Sequence, residues 1–203
     1  MNGYWSIPVI AYLLGSIPFG LIIVKAIGGG DIRAVGSGNI GAANVARNAG
    51  PIAGVLTLLF DAGKGYLAVW IAERWTHGNW RWMIAAAVAA VVGHIFSLWL
   101  KFKGGKGVAT AFGVFLPICW QAVACAAIFW IIVVAFWRYS SLGSIVALAT
   151  LPLWIYRFYA PHRAPPEYFL IGTILISLLV LWKHRENMRR IIAGEEHKLG
   201  SKR

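Results

Sequence analysis

The chain has 203 residues, 59% of them hydrophobic, a formal charge of +12 at pH 7 and a mean hydropathy of +0.68. That apolar share is far above a soluble domain's, and several charge-poor runs reach spanning length, so the composition identifies a polytopic membrane protein. Apart from Lys64, the basic residues lie in loops and the C-terminal tail, where they set topology and meet anionic lipid headgroups; nucleic acid is not the partner this charge implies.

Taken in chain order, Met1 to Trp5 lacks a basic n-region and does not read as a cleaved signal peptide. The first span is predicted from Trp5 to Val24. Gly15-Ser16-Ile17-Pro18-Phe19-Gly20 within it predicts a kink or a close helix contact rather than a ligand site. The next stretch, from Gly36 to Arg47, is unlike a plain charged connector. Gly36, Gly38 and Gly41 let backbone approach a ligand, and exposed N–H groups with the Arg47 fork suit an anion rich in oxygen. Ser37, Asn39 and backbone N–H groups at a helix N-terminus are candidates for phosphate oxygens. Asn44 and Arg47 fall one helical turn apart on the same face, which a simple turn would not need.

The second span is predicted from Pro51 to Ala72, with Asp61 and Lys64 near its middle. Each would cost about 2.5–3.5 kcal/mol exposed at the centre of a spanning helix, so both should face the bundle interior and pair. Whether that pair is structural or functional stays open. A third span runs from Trp82 to Leu100; His94 in it reads as a satisfied interior histidine. Then comes Lys101-Phe102-Lys103-Gly104-Gly105-Lys106-Gly107-Val108-Ala109-Thr110, a second glycine and cation cluster. It has the character of a phosphate cradle without the spacing of a Walker A motif. Lys106 sits between glycines at a helix start, and Thr110 lies one turn on.

Residues 107–137 carry no charge; Cys119 and Cys125 within them read as small buried hydrophobes without a disulfide. The run is long for one span and short for two. Two later spans are predicted from Leu142 to about Tyr156 and from Tyr168 to Trp182, with Ser141 and Ser144 as helix caps at the start of the first. Ala160 to Glu167, with three prolines, reads as an extracytoplasmic turn. After the last span, His184, Asn187 and Arg190 recur at a helical spacing of three, so one face offers an imidazole, an amide and a guanidinium.

Charge counting decides the span number. If the 107–137 run makes two short helices turning near Pro117 to Gln121, seven spans put the N-terminus outside and the tail in the cytoplasm. Lys25, Arg33, Arg47, Lys101, Lys103, Lys106, Arg138 and seven tail residues are then inside, fourteen in all, against four outside at Arg74, Arg81, Arg157 and Arg163. A single helix instead gives eight inside and ten outside, so seven spans are predicted, with both glycine and cation clusters facing the cytoplasm. No internal repeat or separate soluble domain is legible. The chain also lacks a nucleophile elbow and a His-Glu-x-x-His motif, and Trp99 stands where a His-x4-Asp acyltransferase would carry Asp.

Together these residues resemble the bacterial acyl-phosphate:glycerol-3-phosphate acyltransferase family of the PlsY type. The resemblance runs through Gly15 to Gly20, Ser37-Gly38-Asn39-x-Gly41, Asn44-Val45-x-Arg47, Asp61 with Lys64-Gly65, Gly104 to Thr110, and His184-x-x-Asn187 with Arg190, Gly194 and Glu196. Ala43 departs from it, where many members carry Thr. The resemblance implies one all-α integral membrane domain over residues 1–203, with seven transmembrane helices. It implies a bacterial cytoplasmic-membrane location and a site facing the cytoplasm. The implied reaction moves a fatty acyl group from acyl phosphate to the sn-1 hydroxyl of glycerol 3-phosphate, giving lysophosphatidic acid and phosphate.

An acyl phosphate is already activated, so this chemistry needs no enzyme nucleophile, cofactor or metal. It needs neutralisation of two phosphates, donors for a developing oxyanion, and alignment of hydroxyl with carbonyl. Arg47, Lys106 and His184 are the catalytic candidates. Ser37, Gly38, Asn39, Gly41, Asn44, Gly104, Gly105, Gly107, Thr110, Ser144, Asn187 and Arg190 are the substrate-binding candidates. His184 either orients glycerol 3-phosphate or serves as general base, with a substrate phosphate oxygen as the rival proton acceptor. An organic-anion transporter and a non-catalytic lipid-binding protein are the competing classes; the first should show repeat symmetry, and the second leaves the ordered polar clusters unexplained.

Overall fold

The computed structural model describes residues 3–159 and 166–199. Most of the turn expected over Ala160 to Glu167, and Met1 and Asn2, lie outside them. Among the described residues the structure is α-helix and short 3-10 turns, without strands: α1 (Ser6–Ser16), α2 (Phe19–Ala26), α3 (Ala42–Ala49), α4 (Pro51–Trp75), α5 (Trp80–Ile95), α6 (Val108–Trp137), α7 (Ser140–Tyr159), α8 (Pro166–Lys183) and α9 (Arg185–Ile192). Five runs are long and apolar enough to cross a membrane: α1 with α2, α4, Trp80–Leu100, α6 and Ser140–Phe158. Glu167–Lys183 with α9, across a 53° bend, makes a sixth. Large apolar side chains such as Leu59, Ile131 and Leu178 stay exposed on these helices, as a bilayer as solvent allows.

The described residues up to Pro117 form one compact unit. Its first span is broken where the sequence predicts a kink. Pro18 has no N–H to donate and pushes Ile17 out of the helical region, to φ −59° and ψ 119°. Carbonyls freed by such a break must find partners inside the protein. Ser97 Oγ donates to Ser16 O at 2.6 Å, and Lys64 Nζ donates to Ile17 O at 2.7 Å. The same segment also makes the close contact. A Cβ on Gly15 would run into the Ala90 carbonyl, and one on Gly93 into the Tyr12 carbonyl, so α1 and α5 cross backbone to backbone.

α6 begins in this unit. Its helical run carries Pro117 and is two helices joined at Cys119, whose φ −154° and ψ 80° are not helical. The break falls inside the Pro117 to Gln121 segment where the sequence predicts a turn.

The second unit begins at Ile118. In it α7 packs on α8 and α9. The predicted capping by Ser141 and Ser144 is not what forms. Ser144 Oγ donates to Ser140 O at 2.8 Å, within the helix, and Ser141 Oγ donates to Glu196 Oε1 at 2.7 Å. Both serines lie inside α7, where their hydroxyls cannot reach its first N–H groups. Cys119 is buried and Cys125 half-buried, and no disulfide joins them.

Candidate active site

The loop before α3 is organised by one side chain. Asn44 is 2% exposed, and its Nδ2 donates to Ile32 O at 3.2 Å, Val35 O at 3.1 Å and Asn39 O at 2.9 Å. Its Oδ1 accepts from Ser37 N at 2.9 Å and Asn48 Nδ2 at 3.0 Å. Gly36 sits at φ 59°, and a Cβ there would strike the Asn44 and Asn48 amides, so the close approach demands glycine. Asn39 Oδ1 accepts from Gly41 N at 3.1 Å, which tightens the turn into α3. No side chain caps α3 at Gly41. Arg47 is exposed, its Nε donating to Ala43 O at 3.1 Å. The shared face inferred for Asn44 and Arg47 is therefore corrected: Asn44 points into the loop and Arg47 lies at the surface. Three residues turn a helix by a little less than a full circle, enough to put the pair across the boundary of a buried face. At the loop's start, Asp31 takes its hydrogen bonds from the Arg33 side chain and backbone N–H, which hold its carboxyl down at about 2.

The second cluster lies across the end of α5. Gly104 N donates to Ile95 O and Gly105 N to His94 O, both at 3.0 Å. A Cβ at Gly104 would meet the His94 carbonyl, and one at Gly105 the His94 ring at Nε2. These two glycines thus serve close backbone packing, and their N–H groups are taken up by α5 carbonyls. Lys106 follows, half-buried; Gly107 turns at φ 89°, and its carbonyl accepts from Ala111 N at 2.7 Å in the first turn of α6. Thr110 is fully buried, and among the described residues its Oγ1 has no hydrogen-bond partner. Leu100, Ile40, Val45 and Ile32 share one buried apolar cluster, which ties the lead-in to this segment to the Asn44 loop.

Asp61, Lys64 and His94 form the ionic group behind it. Lys64 Nζ lies 2.7 Å from Asp61 Oδ1, and His94 Nδ1 lies 3.6 Å from the same oxygen. All three are at most 5% exposed. The predicted pairing of Asp61 with Lys64 is thus present, and His94 joins it. Removing one partner of such a buried pair typically costs about 3–5 kcal/mol, because the other charge is stranded.

The third set belongs to the second unit. His184 is 2% exposed at the junction of α8 and α9, and its Nδ1 lies 2.8 Å from Val180 O. A carbonyl only accepts, so Nδ1 carries the hydrogen and in the neutral ring Nε2 carries the lone pair. Asn187 and Arg190 lie on the same side, and both reach Glu196. Asn187 Nδ2 donates to Oε1 at 2.7 Å, and Arg190 Nε donates to Oε2 at 2.8 Å. With Ser141, Glu196 gathers three donors from α7 and α9. Burial pushes its carboxyl up, but those hydrogen bonds and the Arg190 charge outweigh it and hold it below the usual range. Ser144, 8% exposed, accepts from Trp130 Nε1 at 3.3 Å. Glu196 entered the sequence reading only through the family resemblance, and the spacing of the basic tail gave it no role of its own. Its signal was scarcity: it is one of seven acidic residues in a chain with nineteen Lys and Arg.

A family model described as glycerol-3-phosphate acyltransferase matches residues 5–194. The chain belongs to the glycerol-3-phosphate acyltransferase family. The relative from Ehrlichia canis is 44% identical over 199 residues, covering 98% of this chain and all of that protein, and the one from Trichlorobacter lovleyi is 51% identical over 93% of each; both are called glycerol-3-phosphate acyltransferase. Crystal structures of PlsY (YgiH), an integral membrane glycerol 3-phosphate acyltransferase, are also similar. Its glycerol 3-phosphate form superposes with a TM-score of 0.89 at 37% identity, over 98% of this chain and 96% of that one. The lysophosphatidic acid form gives 0.87 at 36% identity with the same coverage. The glycerol-3-phosphate acyltransferase resemblance read from the ordered motifs is thereby shown, and with it an all-helical integral membrane fold.

Proposed function

We propose that this glycerol-3-phosphate acyltransferase, an enzyme of membrane phospholipid synthesis, takes its acyl group from acyl phosphate. The sn-1 hydroxyl oxygen of glycerol 3-phosphate attacks the acyl carbonyl carbon. The bond from that carbon to the phosphate oxygen breaks, leaving lysophosphatidic acid and inorganic phosphate. The observation that carries this reading is the pair of glycine-bearing segments of the first unit, each with a cation close by, Arg47 on α3 after the first and Lys106 within the second, and each tied down by a buried side chain or helix carbonyls. Such an arrangement suits phosphate-bearing substrates that need charge neutralisation rather than a protein nucleophile.

In this reading Arg47 and Lys106 neutralise phosphate charge. Ser37, Gly38, Asn39 and Gly41 shape the first anion loop, which Asn44 holds in form. Gly104, Gly105 and Gly107 shape the second, and Thr110 orients a substrate oxygen. His184, Asn187 and Arg190, the last two held by Glu196, present the face that orients glycerol 3-phosphate, and Ser144 on α7 adds a hydroxyl for substrate. A substrate phosphate oxygen takes the hydroxyl proton. No cofactor or metal enters the scheme.

The chain acts as a single membrane domain in the bacterial cytoplasmic membrane. It has seven spans, the N-terminus outside, and the reaction on the cytoplasmic side. Support comes from the distribution of positive charge and from the non-helical break at Cys119, which lets the 108–137 run count as two spans. The donor is tested by giving the purified protein glycerol 3-phosphate with acyl-CoA, under conditions that exclude acyl phosphate formation. No turnover is expected; robust turnover would overturn the donor assignment.

A further inference from the structure

The Asp61, Lys64 and His94 group has no part in the scheme above, yet it adjoins the loop that carries Lys106. His94 supports that loop twice. Its carbonyl accepts from Gly105 N at 3.0 Å, and its ring lies so close to Gly105 that a Cβ there would meet Nε2. The other ring nitrogen faces Asp61 Oδ1 at 3.6 Å. Asp61 is fixed by Lys64 at 2.7 Å, and Lys64 by the Ile17 carbonyl at 2.7 Å, in the break of the first span. A line of buried polar contacts therefore runs from α1 through α4 and α5 to the residue next to Lys106.

A loop of three glycines around one lysine has little stiffness of its own. A cation that acts by electrostatic preorganisation must be held to within about half an ångström. We propose that His94, backed by Asp61, is a positioning residue: its ring seats Gly105 and thereby fixes where the Lys106 ammonium stands. This rests on the reading of Lys106 as an anion-binding cation. His94 touches no substrate in this account.

The test is a size exchange in the full-length enzyme in detergent. Gly105→Ala alone sets a methyl against the His94 ring and should lower kcat/KM by about tenfold or more, as a displaced catalytic group does. His94→Ala alone removes the seat and should also lower kcat/KM in enzyme that stays folded at the assay temperature, because the backbone bonds of Gly104 and Gly105 remain. Together they should lose at least about fivefold less than the product of the two single losses, since the methyl occupies space the ring has left. In a Lys106→Ala background, His94→Ala should cost almost nothing more. Losses that simply multiply, or a His94→Ala penalty undiminished without Lys106, would overturn the proposal. Should His94→Ala not fold, His94→Asn carries the same cycle, because Asn keeps a nitrogen near Asp61 and removes the ring's far edge. Asp61 is left intact, since its loss would strand the Lys64 charge. If Lys106→Ala alone keeps full activity, the reading of Lys106 fails; if it is inactive and the cycle multiplies, only the role of His94 fails.

Discussion

At the scale of single residues, Lys106 and His184 separate binding from proton transfer. If catalysis is mainly electrostatic, Lys106→Ala should lose at least about 10²-fold in kcat/KM, the size of a lost oxyanion-type donor. His184 points the other way. Its Nδ1 is committed to the Val180 carbonyl, which fixes the ring's orientation and tautomer, and in the proposed scheme the ring positions glycerol 3-phosphate. His184→Gln should then raise KM for glycerol 3-phosphate with kcat largely kept. A kcat loss of about 10²–10⁴-fold at unchanged KM would return the base role to His184. Residue types were legible in the sequence; their orientations were only partly so. Spacing set His184, Asn187 and Arg190 on one side; Asn187 and Arg190 meet at Glu196, while His184 holds the Val180 carbonyl. The same kind of argument joined Asn44 to Arg47, and the structure separates them, because an interval of three residues does not say where a buried face ends. What Asn44 holds, the carbonyls of Ile32, Val35 and Asn39, became visible only once the loop had folded around it.

At the scale of elements, the docking of the C-terminal tail on α7 and α9 depends on an ionised Glu196. Its carboxyl is held below its usual 4.5, so the folded state favours the anion. The stabilisation is therefore fully present above that value and is lost as pH falls through the lower, folded one. Hydrogen exchange of the amides near Glu196 and Leu199 should show protection at neutral pH that disappears as pH falls through the lowered, folded value. In Glu196→Gln the protection should already be weak at neutral pH; protection unchanged by either pH or substitution would refute the tail's dependence on this carboxylate. Proline placed two of the breaks in advance: Pro18 ends α1, and Pro117 precedes the non-helical Cys119. The serines of α7 were misread because the partner of Ser141 lies 55 residues away, beyond any local signal.

At the scale of the whole molecule, composition alone identified a helical membrane protein, because 59% hydrophobic residues in long uncharged runs admit little else. The number of spans was harder to read. Length and hydropathy mark five helical runs, or six with the bent pair, while charge distribution calls for seven. The difference lies in residues 108–137, which lengths alone count once and the break at Cys119 lets count twice. Sidedness has its own test. With Cys119 and Cys125 replaced, Lys198→Cys should react with an impermeant thiol reagent only in permeabilised cells; labelling in intact cells would contradict a cytoplasmic tail. The central claim is acyl transfer from acyl phosphate to glycerol 3-phosphate, and the most direct measurement is product balance with purified protein. Inorganic phosphate should appear only when both substrates are present, with one lysophosphatidic acid formed per phosphate released. Phosphate release without glycerol 3-phosphate, or uptake of either anion into proteoliposomes without turnover, would contradict it.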